Sequence, residues 1–510
     1  VVWLKRDLRL LDHAPLAAAA ADEETVVLFI YEPEILASPE FETSHLLFIN
    51  ACLAELARGL EARGARLQTR HGEATVVLDQ LYEAWRFDRL LSHEETGTWA
   101  TFERDRRVAA WCGRREVAWE EHRQHGVFRG LGRRDGWARR WRQHMALPIA
   151  NAPDTLRSPD GLANPGIMTP ADMGLGETTK PDAQPGGEAA AHGVLASFLD
   201  ERGIAYATGM SSPVTAWDAC SRLSAHFAWG SISLRQVYQA TESRLAETLP
   251  RGWKRPLNAF GKRLRWHCHF IQKLESQPEL EFENMSRSYD GLREDHWSDD
   301  RFEAWKAGRT GYPMVDACMR ALRATGWINF RMRAMLVSFA SYHLWLDWRP
   351  TSKWLGRHFL DFEPGIHYTQ FQMQSGVTGI NALRIYSPAR QVSDQDPEGR
   401  FIRAWVPELE GVPDKYLPNP ERMPAAIQQE AGCVIGRHYP EPIVEHAVAY
   451  KEARRRIGEI RGRPETRAEA QRVYDRHGSR LRPRPRVKQK AQGDLFASAE
   501  VLETDDHERA

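Results

Sequence analysis

The chain has 510 residues, and its 69 Lys and Arg balance 69 Asp and Glu, for a formal net charge of zero. At about 100–200 residues per domain this length holds two to four domains, and 42% apolar residues, 27% charged residues, 37 Gly and 29 Pro exclude collagen-like or wholly disordered chains. Eighteen tryptophans are the exception, and they point to stacking surfaces, redox-active rings or both.

From Val1 to about Arg129, short apolar runs alternate with helical spacing. Residues 1–4, 25–31, 66–69, 89–92 and 116–119 read as strands, while Leu46, Ile49, Leu53, Leu56 and Leu60 fall on one helical face. This βαβ series predicts an α/β N-terminal domain over 1–130 with a doubly wound parallel sheet. The first strand runs into Lys5-Arg6-Asp7-Leu8-Arg9 rather than a glycine-rich phosphate loop, which argues against an NAD-type site.

Residues 131–190 read as an interdomain linker, richest in Pro, Gly, Asp and Thr beyond 147 and without periodicity. From 191 to 450 the pattern turns helical, with stripes at Val315, Cys318, Met319 and Leu322 and at Met332, Met335, Leu336, Phe339 and Leu346, separated by a turn at Gly326. An all-α C-terminal domain is expected. The longest apolar stretch, 334–348, contains His343 and Asp347 and is shorter than the roughly 20 residues that cross a bilayer, so no membrane span is expected. No signal-peptide pattern follows Val1, and a cytoplasmic monomer is the expectation.

Residues 451–490 hold 15 Lys and Arg against five acids, whereas 491–510 hold one against six. This reads as a basic, then acidic, flexible tail over 451–510 that touches nucleic acid. The six cysteines lie at least 48 residues apart, which excludes a local Cys-x-x-Cys metal or iron–sulfur spacing.

Three local patterns carry chemistry. Cys220-Ser221-Arg222-Leu223-Ser224, ahead of a helical pattern, has the residue types of a phosphate seat, and equally those of a helix cap. Asp361-Phe362-Glu363-Pro364-Gly365 pairs two carboxylates as a metal site, a clamp for ribose and imide groups, or a turn. His267-Cys268-His269 cannot converge on one ion from a helix, where neighbours point about 100° apart. No nucleophile elbow, Walker loop or His-Glu-x-x-His is present. A bound organic cofactor, and no metal, is therefore expected to carry the chemistry.

Several stretches, in order, resemble one family, the DNA photolyases and cryptochromes. They are 3–9 with Asp12, Ser221–Ser224, 310–317, 325–327, 331–333, 347–349, 401–409 and 440–444, so the resemblance covers residues 1 to about 450. It implies an antenna-like first domain, whose pigment is unknown or absent, and a helical domain that binds FAD. It assigns the cofactor pocket to Cys220, Ser221, Arg222, Leu223, Ser224, Phe260, His267, Arg333, Asp361, Phe362, Glu363 and His367. Among these, Arg333 and Asp361 would pair at the isoalloxazine, Glu363 would hold the ribose, and His367 stands where the family has an asparagine facing flavin N5.

The resemblance assigns DNA and lesion contacts to Arg263, Trp266, Phe330, Met373 and Gln374. Arg263 replaces an acid, Phe330 an amide and Met373 a tryptophan. Trp348 and Trp297 match the middle and outer positions of the electron-transfer chain, and Phe371 takes the inner one, with Tyr368, Trp345 and Trp354 as substitutes. The run 366–376 is similar to that of a bacterial branch associated with single-stranded DNA. The implied activity is light-dependent repair of cyclobutane pyrimidine dimers in UV-damaged DNA, by a bacterial, nucleoid-associated enzyme. The alternatives are a cryptochrome-like sensor without repair activity and an FAD-binding relic. Gln492-Gly493-Asp494-Leu495-Phe496 resembles the peptides that dock repair proteins on the sliding clamp.

Overall fold

A computed structural model describes residues 1–178 and 180–479. The clamp-like peptide and the acidic end lie outside the described residues.

The first 130 residues build five parallel strands, β1 (Val2–Leu4), β2 (Val27–Tyr31), β3 (Leu67–His71), β4 (Arg89–His93) and β5 (Ala118–His122), in the order β3-β2-β1-β4-β5. Every side chain of β1 and β2 is buried, because helices cover both faces of the sheet. One face packs on helix α1 (Thr43–Glu61), through Leu46, Ile49, Leu53, Leu56 and Leu60. The chain then reaches α2 (Trp137–Met145) and the long connection.

That connection crosses the open edge of the sheet. The Thr69 N–H donates to Asn164 Oδ1 at 3.1 Å, and Asn164 Nδ2 donates to the Leu67 carbonyl at 2.8 Å, so the linker covers the unpaired groups of edge strand β3.

The helical domain is built on α3 (Lys254–Ser276), α4 (Pro313–Thr325), α5 (Phe330–Ser338), α6 (Trp348–His358) and α7 (Pro364–Ser375). Both predicted stripes face its core. After α5 the apolar run widens into a π-helical turn, Phe339–His343, followed by Trp345 at φ 57°. Such turns mark a local insertion in a helix.

The domains interlock. Trp229, from the helical half, sits in the core beneath the sheet, under the Arg6 guanidinium at 4.7 Å. Its indole N–H donates to the Leu360 carbonyl at 2.9 Å, and Arg6 Nε donates to the Ala228 carbonyl at 2.7 Å. Gly230, at φ 72°, admits this approach, since a Cβ there would lie 2.1 Å from the Arg6 carbonyl oxygen.

The expected tail needs correction. Residues 451–477 are folded, within α8 (His446–Gly462) and α9 (Pro464–His477). Ala453, Ile457 and Ile460 form a narrow stripe buried against the main core, while Arg455 pairs outward with Glu452 and Glu459. The high charge belongs to the solvent face of an amphipathic helix.

Candidate functional site

Asp361 lies in the tight connection between α6 and α7, pinned by the Leu360 N–H donating to the Gly326 carbonyl at 3.0 Å. Arg333, on α5, grips it with two parallel hydrogen bonds of 2.9 and 2.8 Å. A third guanidinium N–H, on Nε, donates to the Ile328 carbonyl at 2.8 Å, and the Arg333 head lies 4.1 Å from the Phe359 ring centroid. The planar fork is thereby fixed on every side. Gly365 lets the start of α7 press on α3, because a Cβ would lie 2.6 Å from Ile271 Cα.

The 220–224 segment forms a strained loop. Arg222 has φ 59°, its head lies 4.9 Å from the Trp217 ring centroid, and its Nε is buried with no protein partner. Ser221 Oγ accepts from the Leu223 N–H at 3.5 Å, and Ser224 opens a helix of five residues, Ser224–Ala228. Leu223 is buried core, and burial pushes the Cys220 thiol up to about 12. A buried guanidinium N–H without an acceptor is a place for an anionic oxygen.

Nearby, a cleft of about 470 Å³ is lined by Arg6, His125, Phe227, Ile271 and Glu363. Burial pushes the Glu363 carboxyl up to about 7, against the pull of Arg6. His267 meets His125 and Phe227 edge-on at 5.5 and 5.4 Å, and its Nδ1 is buried without a partner. His269 points elsewhere, to Arg134 Nη2 at 2.6 Å, so the His-Cys-His run diverges as its helical placement requires.

His367 is held between Phe362 and Phe371, with ring centroids at 5.1 and 4.7 Å. Its Nε2 donates to the Ser352 carbonyl at 2.8 Å, and burial lowers its pKa to about 4. The ring is therefore neutral near pH 7 and offers an acceptor lone pair on Nδ1. Phe260, expected at the cofactor, packs against Phe198 and Tyr206 with ring centroids at 4.6 and 5.9 Å.

Of the expected lesion contacts, Arg263 lies 4.4 Å over Trp266 on α3, Phe330 is 41% exposed at the start of α5, Met373 is half-buried and Gln374 is buried on α7.

Trp348 is buried and donates its indole N–H to Asn284 at 2.8 Å, while half-buried Trp297 donates to Asp299 at 2.8 Å. Trp297 leads into an aromatic run that sequence reading missed: Phe302 at 4.8 Å, then Trp305 at 6.1 Å, Trp354 at 5.5 Å and His358 at 4.2 Å. Among the substitutes, Trp354 belongs to this run, and Tyr368 donates to Glu40 at 2.7 Å. Trp345 lies beneath two guanidinium groups, Arg293 at 4.7 Å and Arg456 at 4.8 Å, which oppose positive charge on the ring.

Two family models match this chain: DNA photolyase over residues 1–130, and the FAD binding domain of DNA photolyase over residues 260–459. The chain belongs to the DNA photolyase and cryptochrome family. A deoxyribodipyrimidine photo-lyase of Streptomyces griseus is 31% identical over 91% of this chain and 99% of its own length. One of Agrobacterium fabrum is 31% identical over 89% of this chain and 96% of its own. The crystal structure of a bacterial class III photolyase from Agrobacterium tumefaciens superimposes with a TM-score of 0.79 at 28% identity, covering 91% of this chain and 97% of that one.

The residues present suit the flavin of this photolyase fold. The orphaned Arg222 Nε and His267 Nδ1, the neutral His367 and the fixed Arg333–Asp361 pair offer a donor for phosphate and polar groups for ribose and imide. A separate buried group, Asp7, His13 and His93, brings its ligand atoms within 4.8 Å of one another. His13 Nδ1 accepts from the Leu16 N–H at 3.1 Å, so the proton on its Nε2 faces Asp7 at 3.1 Å, and His93 Nδ1 faces the same carboxylate at 2.7 Å. A cation would need the His13 lone pair that this tautomer removes. The three side chains tie the loop after β1 to the end of β4. No helix among the described residues is long and apolar enough to cross a membrane.

Proposed function

We propose that this photolyase-family protein splits cyclobutane pyrimidine dimers in UV-damaged DNA under blue light, preferring single-stranded DNA. The observation that carries the reading is the fixed Arg333–Asp361 pair, in a chain that also presents Arg263 over the Trp266 ring and the exposed ring of Phe330. FAD, when bound, supplies the light-excitable electron donor. The chain's own part would be to hold and orient: Arg222 would offer an N–H to the phosphates, Asp361 and Arg333 would fix the ring system, and Glu363 would hold the ribose. The cation of Arg263 and the rings of Trp266 and Phe330 suit a base already out of its stack and a neighbouring phosphate. Flipping costs least in a strand that is already unpaired, which favours the single-stranded substrate.

A second cleft, of about 870 Å³, opens between the domains at the carboxyl ends of β1 and β2, lined by Phe29, Ile35, Phe41, Leu46, Ile49 and Trp229. Open α/β sheets take ligands at this end, and the apolar lining suits a flat antenna pigment.

The test is anaerobic blue-light repair of a thymine-dimer oligonucleotide by the reduced protein, single-stranded and duplex side by side. Repair faster on the single strand is expected. The loss of the acid and amide at Arg263 and Phe330 favours the sensor alternative; FAD that photoreduces without repair of either substrate would select it.

A further inference from the structure

Four aromatic rings meet His367 among the described residues: Phe371 at 4.7 Å, Phe362 at 5.1 Å, Tyr368 at 5.5 Å and Phe359 at 6.0 Å between centroids. His367 also feels the charges of Arg333 and Asp361, which sets this group of rings beside the fixed pair. Three of the four are phenylalanines, the aromatic side chains hardest to oxidise. Tyr368 is the redox-active ring of the group, and it is fully buried.

Its hydroxyl donates to Glu40 Oε1 at 2.7 Å. Glu40 is itself 4% exposed and comes from the α/β domain, in the turn ahead of α1. A second carboxyl group, Glu281, acts on the same phenol from the turn after α3, where it accepts from the Trp99 N–H at 2.6 Å. Burying acids is expensive, and one backbone carbonyl would have satisfied the hydroxyl. The arrangement therefore does more than complete the packing.

Burial, and then the charges of Glu40 and Glu281, hold the Tyr368 phenol well above its usual range. A phenol that keeps its proton so firmly gives up an electron readily only when the proton moves in the same event, because the radical cation is a strong acid. Glu40 is the acceptor in place for that proton. Negative charge beside the ring also favours the departure of an electron, by the same Coulombic argument through which Arg293 and Arg456 oppose it at Trp345.

We propose that Tyr368 is the electron donor to photoexcited, oxidised FAD, in place of the tryptophan replaced by Phe371, and that Glu40 Oε1 takes the phenol proton along their hydrogen bond. One electron leaves the ring for the flavin and the O–H bond breaks towards Glu40, leaving a neutral phenoxyl radical beside a protonated carboxyl group. An external thiolate then returns one electron, and the proton travels back to the phenol oxygen. The net change is one electron from thiolate to flavin, with Tyr368 and Glu40 restored. The inference deepens the photolyase reading, on which it rests for the FAD at His367.

The test illuminates the full-length protein, loaded with oxidised FAD and supplied anaerobically with dithiothreitol, and traps the products of a blue flash for electron paramagnetic resonance. Ring-deuterated tyrosine identifies the radical by its narrowed hyperfine pattern. A tyrosyl radical is expected in the parent and should vanish in Tyr368→Phe. Glu40→Gln still accepts a hydrogen bond but binds a proton poorly, and should slow photoreduction of the bound FAD about 100-fold. A retained FAD-to-protein ratio and thermal midpoint show that each variant is folded. A tryptophan radical in the parent in place of a tyrosyl one, a tyrosyl radical that survives in Tyr368→Phe, or an unchanged rate in Glu40→Gln would overturn the assignment; the first is read without any variant. Repair of thymine-dimer oligonucleotides is scored separately, on parent protein reduced with dithionite: no repair from protein that forms the tyrosyl radical would refute the photolyase reading alone.

Discussion

Asp361→Asn removes one charge and leaves the shape of the turn almost unchanged. Both carboxylate oxygens accept from Arg333, at 2.9 and 2.8 Å, and the Asp361 side chain is 3% exposed. Removing one member of a buried pair strands the other and costs about 3–5 kcal/mol. The Arg333 side chain is 24% exposed, so water recovers part of this, and about 3 kcal/mol is the appropriate end of the range. At about 1.4 kcal/mol per decade this weakens FAD binding about 100-fold, and for a cooperative unit of about 480 residues, at about 2.1 cal/mol/K per residue, it lowers the thermal midpoint by about 3 °C. The assay is the FAD-to-protein ratio after gel filtration, followed by reconstitution with free FAD monitored by flavin fluorescence. Asp361→Leu with Arg333→Met removes both charges; the double variant should regain much of the midpoint without regaining FAD. An Asp361→Asn protein that purifies with full FAD and the parent dissociation constant would refute the reasoning.

Other changes probe separate links. Phe371 is buried 4.7 Å from His367, and phenylalanine is harder to oxidise than tryptophan, so Phe371→Trp should speed photoreduction of bound FAD under blue light with an external reductant; an unchanged rate would show that electrons bypass this position. Gly365→Ala places a Cβ 2.6 Å from Ile271 Cα and should cost about 1–3 kcal/mol as α7 and α3 are forced apart, read from denaturant midpoints. His343 stacks on Phe339 and shares a 2.8 Å hydrogen bond with His446, and burial lowers its pKa to about 3. Its folded pKa lies below the unfolded value of about 6.5, so its contribution is complete above pH ~6.5 and falls by about 1.4 kcal/mol per unit as pH drops towards ~3. Comparing unfolding at pH 7 and pH 5 should therefore show a smaller loss in His343→Gln than in the parent.

The five strands are legible in the sequence because burial on both faces leaves uninterrupted apolar runs, as at Val27–Tyr31, bounded by helical spacing. The Arg333–Asp361 pair is legible through family resemblance, since nothing in their spacing brings residues 28 apart into contact. The helices at the end of the chain are hidden: three small or aliphatic residues, Ala453, Ile457 and Ile460, suffice to bury α8, and the arginines between them dominate the composition. Trp305 escapes notice because its neighbours Phe302 and Trp354 meet it only in three dimensions. The π turn is hidden inside a continuous apolar run, where hydropathy carries no sign of a changed hydrogen-bond period.

The interlock of Trp229 with Arg6 bears on how the molecule comes apart. An indole from one half completes the core of the other, and the backbone between Ala228 and Gly230 is threaded against the loop after β1. Neither half closes its apolar interior alone, so the two halves melt as one cooperative unit. Calorimetric and van't Hoff enthalpies should agree across the whole protein. A fragment ending near residue 130 should expose the seat of Trp229 and bind hydrophobic dyes, even though its five strands are complete.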